Sequence, residues 1–297
     1  MGQRGTRGAV ASRLTDGFLL ALDGLVAVIL APQCAACLRP LEHPSLGAVC
    51  GRCWASIQPL TPPLCDVCGD PLAILGEPRN ASLDIVEGAK EFASCRRCRE
   101  TPPCISRARA IGVYEGALRA IVHALKYDAR RSLAAPLGER MRARGGAVLR
   151  DAACVVPVPL HPSRRRERGF NQARDLAGHL GLPIVEALAR VRRTVPQAQL
   201  SAAGRRQNVH DAFETTRRVR LLIGAAVVLV DDVSTTGATL EACALTLKRA
   251  GVAEVRALTA ARVVGPRSAE HRLHSREDVG GDEILRPLAV EDRPAPR

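Results

Sequence analysis

Short apolar runs alternate with amphipathic stretches from residue 105 onward, and this alternation predicts a parallel β-sheet with helices between its strands. The predicted strands are Ala108–Tyr114, Val155–Pro159 and Ala225–Val230. The stretches with helical spacing are 117–127, 132–144, Asn171–Leu180 and a run that begins near Leu240. In 117–127 the spacing places Leu118, Ile121, Val122 and Leu125 on one face, which we expect to be buried. We therefore predict an α/β domain over residues 105–264.

The first third of the chain has a different pattern, set by cysteine pairs. Eight of the eleven cysteines form four Cys-x-x-Cys pairs: Cys34/Cys37, Cys50/Cys53, Cys65/Cys68 and Cys95/Cys98. Two such pairs can close one tetrahedral zinc site, so we predict a double zinc ribbon over residues 32–104 that holds one or two structural zinc ions. Sequential pairing is the simplest arrangement, while interleaved pairing, or Cys104 in place of one ligand, remains open. A disulfide framework or a single redox pair fits a cytosolic chain with four pairs less well.

The two ends of the chain carry less information. Residues 1–31 include an apolar stretch, Phe18–Leu30, which Asp23 interrupts and which is too short to span a membrane. We expect an N-terminal packing helix there and a cytoplasmic protein without a membrane span. The segment 265–297 is rich in Gly, Pro and mixed charges, so we predict a disordered tail.

The most informative motif follows the strand Ala225–Val230, where two carboxylates precede a turn of small residues and a helix. Ligands bind at the carboxyl ends of strands in open α/β sheets, and the amides at a helix N-terminus bind anions. Paired acids followed by an anion cradle suit a sugar that has free hydroxyls and a 5′-phosphate. The motif lacks the lysine of a nucleotide-binding P-loop. The simpler alternative is a strand–turn–helix whose acids cap the helix. The residues concerned are Asp231, Asp232, Ser234, Thr235, Thr236, Gly237, Ala238 and Thr239.

A second candidate site is a run of arginines after the predicted strand Val155–Pro159. Arg164, Arg165, Arg166 and Arg168 precede Gly169, and the planar guanidinium group suits pyrophosphate oxygens. A solvated basic loop or a nucleic-acid backbone contact is the alternative. The net charge of +13 favours polyanionic ligands in general, although an arginine-rich composition would give the same value.

These motifs in this order resemble the ComF/GntX family, whose best-known members act in bacterial DNA uptake. Besides the cysteine pairs and Asp231–Leu240, the resemblance depends on Leu125–Tyr127, Val156–Leu160, Arg168–Ala173, Gln199-Leu200, Arg205 and Asn208. It implies a double zinc ribbon joined to a type I phosphoribosyltransferase fold, in which a parallel sheet is flanked by helices.

The same resemblance implies that Asp231 and Asp232 hold the ribose hydroxyls of phosphoribosyl pyrophosphate (PRPP), and that residues 235–239 hold its 5′-phosphate. It places Arg205, together with Asp231 and Asp232, among the catalytic residues, with Arg205 on a flexible loop. Mg²⁺ would accompany PRPP, and pyrophosphate would be released. The implied role is a phosphoribosyltransferase in DNA uptake or nucleotide salvage. The alternative is a non-catalytic module for single-stranded DNA or for helicase-type competence proteins, although 2% aromatic residues offer few stacking platforms.

Overall fold

The structure is a computed structural model that describes residues 31–72, 93–192 and 212–264. The predicted N-terminal helix, the loop that contains Arg205 and the predicted tail 265–297 all lie outside these residues. Within the described part of the chain, no helix is both long enough and apolar enough to cross a membrane.

A four-stranded, all-parallel sheet forms the centre of the described residues, in the order β1-β6-β5-β2, and the predicted parallel sheet is confirmed. A separate antiparallel pair is formed by β3 and β4. The strands are β1 (Arg107–Val113), β2 (Cys154–Pro157), β3 (Leu188–Arg190), β4 (Phe213–Thr215), β5 (Ala226–Ser234) and β6 (Glu254–Arg262). The α-helices are α1 (Gly51–Ala55), α2 (Arg96–Glu100), α3 (Gly116–Tyr127), α4 (Ala134–Arg144), α5 (Gly146–Leu149), α6 (Pro162–Arg168), α7 (Gln172–Ala177) and α8 (Ala238–Arg249). Short 3-10 turns lie at Pro44–Leu46, Arg131–Leu133 and Arg217–Leu222.

The central strand β5 is buried along its apolar run, where Val227 to Val230 are fully enclosed. A strand covered on both faces needs a continuous apolar run, and this is the pattern that the sequence shows. Helix α3 buries the predicted face, since Leu118, Ile121, Val122 and Leu125 are fully inaccessible. The segment predicted as one helix over 132–144 begins instead with a 3-10 turn at Arg131–Leu133, and α4 follows from Ala134.

The order in which the chain adds strands to the sheet changes side at β2. Val155 pairs with Val228 of β5 on one side and forms an isolated parallel bridge with Ile184 on the other. The chain therefore leaves β2 outward, toward Ile184, and returns to the inner side at β5. Such a reversal opens a crevice at the carboxyl ends of the two strands, where ligands bind in open α/β folds. The acid pair lies in the last residues of β5, and the arginine segment follows β2.

The edge strand β1 is covered by backbone from the cysteine-rich region. The carbonyl of Val67 accepts from the amide of Ala108 at 2.6 Å, and that of Gln58 accepts from the amide of Val113 at 2.9 Å. These bonds satisfy part of an otherwise open sheet edge. Gly112 permits the close approach, because a Cβ at this position would lie 2.3 Å from the Gln58 carbonyl oxygen. The cysteine-rich region is thus packed against the sheet.

Candidate sugar-phosphate site

The acid pair lies near the carboxyl end of β5, which continues further than its apolar run predicts. The strand extends to Ser234 because its pairing with β6 continues to the Ser234–Arg262 register position. Asp231 is half-buried, whereas Asp232 is 3% exposed. Each carboxylate accepts a 2.8 Å hydrogen bond from the next backbone amide in the chain, Asp231 from Asp232 and Asp232 from Val233. Both side chains are therefore held in fixed orientations.

Lys126, in the last turn of α3, forms a buried ion pair with Asp232. The contact joins Nζ to Oδ2, and the lysine side chain is only 17% exposed. Asp232 Oδ2 has no aligned hydrogen-bond partner among the described residues, so the contact is electrostatic rather than a well-directed hydrogen bond. A buried carboxylate oxygen with spare accepting capacity is suited to a hydroxyl donor. Sequence reasoning used Lys126 only as part of a family motif, because no local signal shows that it reaches the acid pair.

The four arginines of the predicted anion site do not lie on a loop. They occupy α6, whose N-terminus is capped by the His161 ring accepting from the Ser163 amide at 3.3 Å. Gly169 ends the helix in the left-handed region, at φ +81°. The helix places Arg164 and Arg168, four residues apart, on one face, and Arg165 and Arg166 on the more exposed side.

The half-buried arginines of α6 lie close to the charged groups around the acid pair. Arg168 interacts electrostatically with Asp231, and Arg164 with both Lys126 and Arg190. Arg190, at the end of β3, also interacts with Asp231. Sequence reasoning did not identify Arg190, because the β3–β4 pairing that positions it joins segments separated by more than twenty residues.

These groups perturb one another's pKa values. Burial raises the pKa of Asp231 to about 6, and the nearby Lys126, Arg190 and Arg168 limit that rise. Burial also lowers the pKa of Lys126 to about 8, against the attraction of Asp231 and together with repulsion from Arg168 and Arg164. A carboxyl and an amine whose pKa values are both moved toward neutrality are typical of a binding or catalytic site.

The loop after the acid pair has the geometry of an anion cradle. Gly237 lies in the left-handed region at φ +79° and precedes the first residue of α8. The first-turn amides of a helix have no partner within that helix, and α8 has twelve residues with a full macrodipole. Thr236 Oγ1 accepts weakly from the Ala238 amide, at 3.4 Å. The predicted loop residues Ser234 to Thr239 are thus placed around one helix N-terminus.

The eight paired cysteines form two clusters, and their pairing is sequential, as the simplest reading of the sequence predicted. Cys104 belongs to neither cluster, and its backbone amide bonds Glu241 instead. The members of each cluster have their Sγ atoms within 4.8 Å of one another: Cys34, Cys37, Cys50 and Cys53 in the first, and Cys65, Cys68, Cys95 and Cys98 in the second.

The distances within the clusters fit zinc. Tetrahedral thiolate ligands on zinc lie about 3.8 Å apart, from a Zn–S bond of about 2.3 Å. The Cys37–Cys50 and Cys68–Cys95 Sγ separations are 3.9 and 3.6 Å. In each cluster the third cysteine donates its amide to the sulfur of the first at 3.3 Å. The two ribbons therefore repeat one local structure.

The second ribbon reaches the cradle loop. Arg97, between Cys95 and Cys98 on α2, donates to the carbonyl of Thr236 at 3.0 Å. Asp70, which follows the Cys65/Cys68 pair, accepts from Arg262, and Arg262 is 4% exposed. Despite burial, the pKa of Asp70 is lowered by Arg262 and Arg97.

Two cavities flank the site. One of about 920 Å³ lies between the second ribbon and α8 and is lined by residues that include Arg97, Phe213 and Gly237. The other, of about 870 Å³, is lined by Arg165, Arg166 and further arginines: Arg190, Arg217 and Arg218. Neither of these two cavities is lined by Asp231 or Asp232.

The chain resembles known proteins along most of the described residues. A family model described as "Phosphoribosyl transferase domain" matches residues 166–285, and one described as "Double zinc ribbon domain" matches residues 25–99. The chain is 34% identical over 232 residues to "DNA utilization protein YhgH" of Salmonella typhimurium, which covers 75% of this chain and 93% of that protein. It is 29% identical over 240 residues to "Competence protein F" of Haemophilus influenzae, with 77% and 96% covered. It is 25% identical over 212 residues to "Competence protein ComFC" of Bacillus subtilis, with 69% and 80% covered.

Proposed function

This chain belongs to the ComF/YhgH family of proteins with a double zinc ribbon and a phosphoribosyltransferase domain, and we propose that it binds PRPP and transfers its phosphoribosyl group to a nitrogen nucleophile. The observation that carries the proposal is the placement of Asp231 and Asp232 directly before the α8 cradle and beside three cations, Lys126, Arg168 and Arg190. Arg164 lies close to two of these cations, Lys126 and Arg190. A ligand that matches this arrangement has hydroxyls, a terminal phosphate and a second, more highly charged group.

In this proposal the hydroxyl donors of PRPP contact carboxylate acceptors, and its anionic phosphates contact amide donors or cationic side chains. The ribose hydroxyls donate to Asp232 Oδ2 and to Asp231, which requires Lys126 to move away from Asp232. The 5′-phosphate accepts from the N-terminal amides of α8. The pyrophosphate faces Arg164, Arg168 and the displaced Lys126. In this proposal Lys126 is the counter-ion of Asp232 in the free protein, and the ribose hydroxyls replace it when PRPP binds.

Catalysis would follow from charge placement, because the sugar carbon becomes cationic as pyrophosphate leaves. Arginines on the leaving group and carboxylates beside the sugar both favour that separation of charge. The two carboxylates also offer the hard oxygen atoms that Mg²⁺ prefers, and Mg²⁺ carried by PRPP would supply further neutralisation of the pyrophosphate. Arg205, proposed as catalytic from the family resemblance, lies outside the described residues.

Calorimetry with PRPP and Mg²⁺ tests the binding step, with Asp232→Asn as the variant and Asp128→Asn as its control. Asp128 is exposed at the end of α3, close to Lys126 in sequence but outside the acid pair. We expect the Asp232 variant to lose at least tenfold in affinity and the control to keep wild-type affinity. Equal affinity in all three proteins would refute the sugar assignment.

A screen for pyrophosphate release tests the transfer step. Nucleobases and small amines are offered one at a time with PRPP, and the acceptor that releases pyrophosphate identifies the reaction. If the chain binds PRPP but releases no pyrophosphate with any acceptor, the result would indicate a PRPP-binding protein and not a transferase.

A second candidate function, binding of single-stranded DNA, is favoured by the outer side of α6. Arg165 and Arg166 are exposed and share a cavity with Arg217 and Arg218. Charge reversal of Arg165 and Arg166 to Glu is expected to reduce salt-dependent DNA affinity and leave PRPP affinity unchanged, and reversal of Arg164 and Arg168 to do the opposite. If both pairs affect only PRPP, the DNA assignment fails.

A further inference from the structure

The second zinc ribbon is connected to the cradle loop through two separate polar links. In the first, the Arg97 guanidinium donates to the carbonyl oxygen of Thr236 at 3.0 Å. In the second, Arg262 donates to Asp70 and lies 3.4 Å from Ser234 Oγ. Asp70 also lies 3.6 Å from Arg97, so a single carboxylate joins both arginines. The loop is thus held at its start and at its middle by residues that belong to, or contact, the ribbon.

The Arg97 bond determines where one loop amide points. In a trans peptide the C=O and the following N–H are antiparallel. A Thr236 carbonyl that is held toward the ribbon therefore directs the Gly237 N–H away from the ribbon. Gly237 is at φ +79°, in the region that favours glycine, and a Cβ there would meet only Ser234 Oγ, at 4.0 Å. A glycine is favoured at position 237 because of its backbone conformation and not because a side chain would clash. This agrees with a Thr236–Gly237 peptide whose orientation is set by the Arg97 hydrogen bond.

The position of Arg97 in turn depends on the cysteine cluster. Helix α2 has only five residues, which is too short to be stable alone in water. Cys95 and Cys98 on either side of Arg97 attach the helix to Cys65 and Cys68, and the Cys95 amide donates to Cys65 Sγ at 3.3 Å. Zinc bound by these four sulfurs would fix the helix, and with it the guanidinium.

The first ribbon provides an internal comparison. Arg52, between Cys50 and Cys53, occupies the position that Arg97 has in the second ribbon. Both arginines are exposed, but it is Arg97 that donates to the cradle loop. The first ribbon packs elsewhere: Trp54 lies under the Arg140 guanidinium at 3.7 Å, and Gln58 pairs with β1. Two ribbons of the same local structure therefore have different neighbours, and the second one lies at the cradle.

We propose that the second zinc ribbon is part of the sugar-phosphate site, with Arg97 as a positioning residue that turns the Thr236–Gly237 peptide so that its N–H meets the 5′-phosphate. This inference rests on the proposed function. Zinc in the second cluster is required for the arrangement, and zinc in the first cluster is not.

The test measures ribose 5-phosphate and pyrophosphate separately, by calorimetry on the full chain. Arg97→Ala is expected to weaken ribose 5-phosphate binding by about tenfold, the value of one charge-assisted hydrogen bond, and to leave pyrophosphate binding within twofold. Arg97→Lys should restore part of the loss, because an ammonium group can also donate to the carbonyl. Arg52→Ala, the matched control, should change neither affinity.

A second experiment tests the role of zinc. It compares Cys98→Ser, in the second cluster, with Cys53→Ser, in the first cluster, and the zinc content of each variant is measured. Loss of zinc from the second cluster alone should weaken ribose 5-phosphate binding, and loss from the first should not. Should Cys98→Ser fail to fold, the Arg97 variants decide the question alone.

The outcomes separate the two proposals. A wild-type chain that binds neither ribose 5-phosphate nor PRPP overturns the proposed function and this inference with it. A wild-type chain that binds ribose 5-phosphate, with Arg97→Ala binding it equally well, overturns only the role of Arg97. An equal loss for both ligands would indicate a general structural defect and would also overturn it.

Discussion

Replacement of Asp231 by Asn is expected to stabilise the fold at neutral pH while it damages the site. Burial raises the pKa of Asp231 from 3.8 to about 6, so the ionised carboxylate is less favourable in the folded chain than in the unfolded chain. A shift of about two units corresponds to about 3 kcal/mol. The side chain is half-buried, and Lys126 loses an attractive partner in the variant, so we expect a net gain of about 1–3 kcal/mol at pH 7.

The sign of the pH dependence follows from the raised pKa. Between about pH 4 and pH 6 the folded chain holds a proton on Asp231 that the unfolded chain has released, so wild-type stability falls as the pH rises through this window. The asparagine does not titrate. The difference between variant and wild type should therefore be near zero at pH 4 and reach its full value above pH 6.

Urea denaturation at pH 4, 5, 6 and 7 measures this difference, with the exposed Asp128→Asn as the control that should show none. An asparagine variant that is no more stable than wild type at pH 7 would show that ionisation of Asp231 does not destabilise the folded chain. A gain that is the same at every pH would also refute the reasoning, since it could not come from titration of Asp231.

Two further predictions concern the metal and the cradle. The purified chain should contain two zinc ions, and Cys37→Ser and Cys68→Ser should each lower the zinc content by one; elemental analysis that finds no zinc in a folded sample would contradict this. Gly237→Ala should cost about 1–2 kcal/mol in thermal or urea denaturation, because a residue with a Cβ is disfavoured at φ +79°, whereas Gly146→Ala at an open helical position should cost nothing. Equal stabilities of these two variants would show that the loop relaxes to a different conformation.

Much of the fold could be predicted because its signals are local. The apolar run before Asp231 indicated a buried strand, and the spacing of Leu118 to Leu125 indicated the buried face of α3. The cysteine spacing indicated two zinc ribbons, since a Cys-x-x-Cys knuckle is defined within four residues. The boundaries were less accurate: β5 continues through the acid pair because its partner strand β6 continues there, and strand length depends on both partners.

The arginine segment shows where local reasoning ends. From the sequence alone, the four arginines before Gly169 were all predicted to contact pyrophosphate. The structure places them on a helix, where Arg168 interacts with Asp231, and Arg165 and Arg166 lie on the more exposed side and line a cavity. Helical periodicity separates side chains that are adjacent in sequence, and a seven-residue polar segment carries no hydrophobic pattern from which that periodicity could be recognised.

The amino-acid sequence by itself determined the chemistry that is contiguous along the chain: the acid pair with its cradle, the cysteine knuckles and the alternation that builds a parallel sheet. Only the tertiary structure decided which distant cations surround the acids, that Lys126 neutralises Asp232, and that the second ribbon rather than the first contacts the cradle. The physical reason is that Lys126 and Asp232 are 106 positions apart in the sequence and Arg97 and Thr236 are 139 positions apart, so packing around the sheet rather than local propensity brings them into contact.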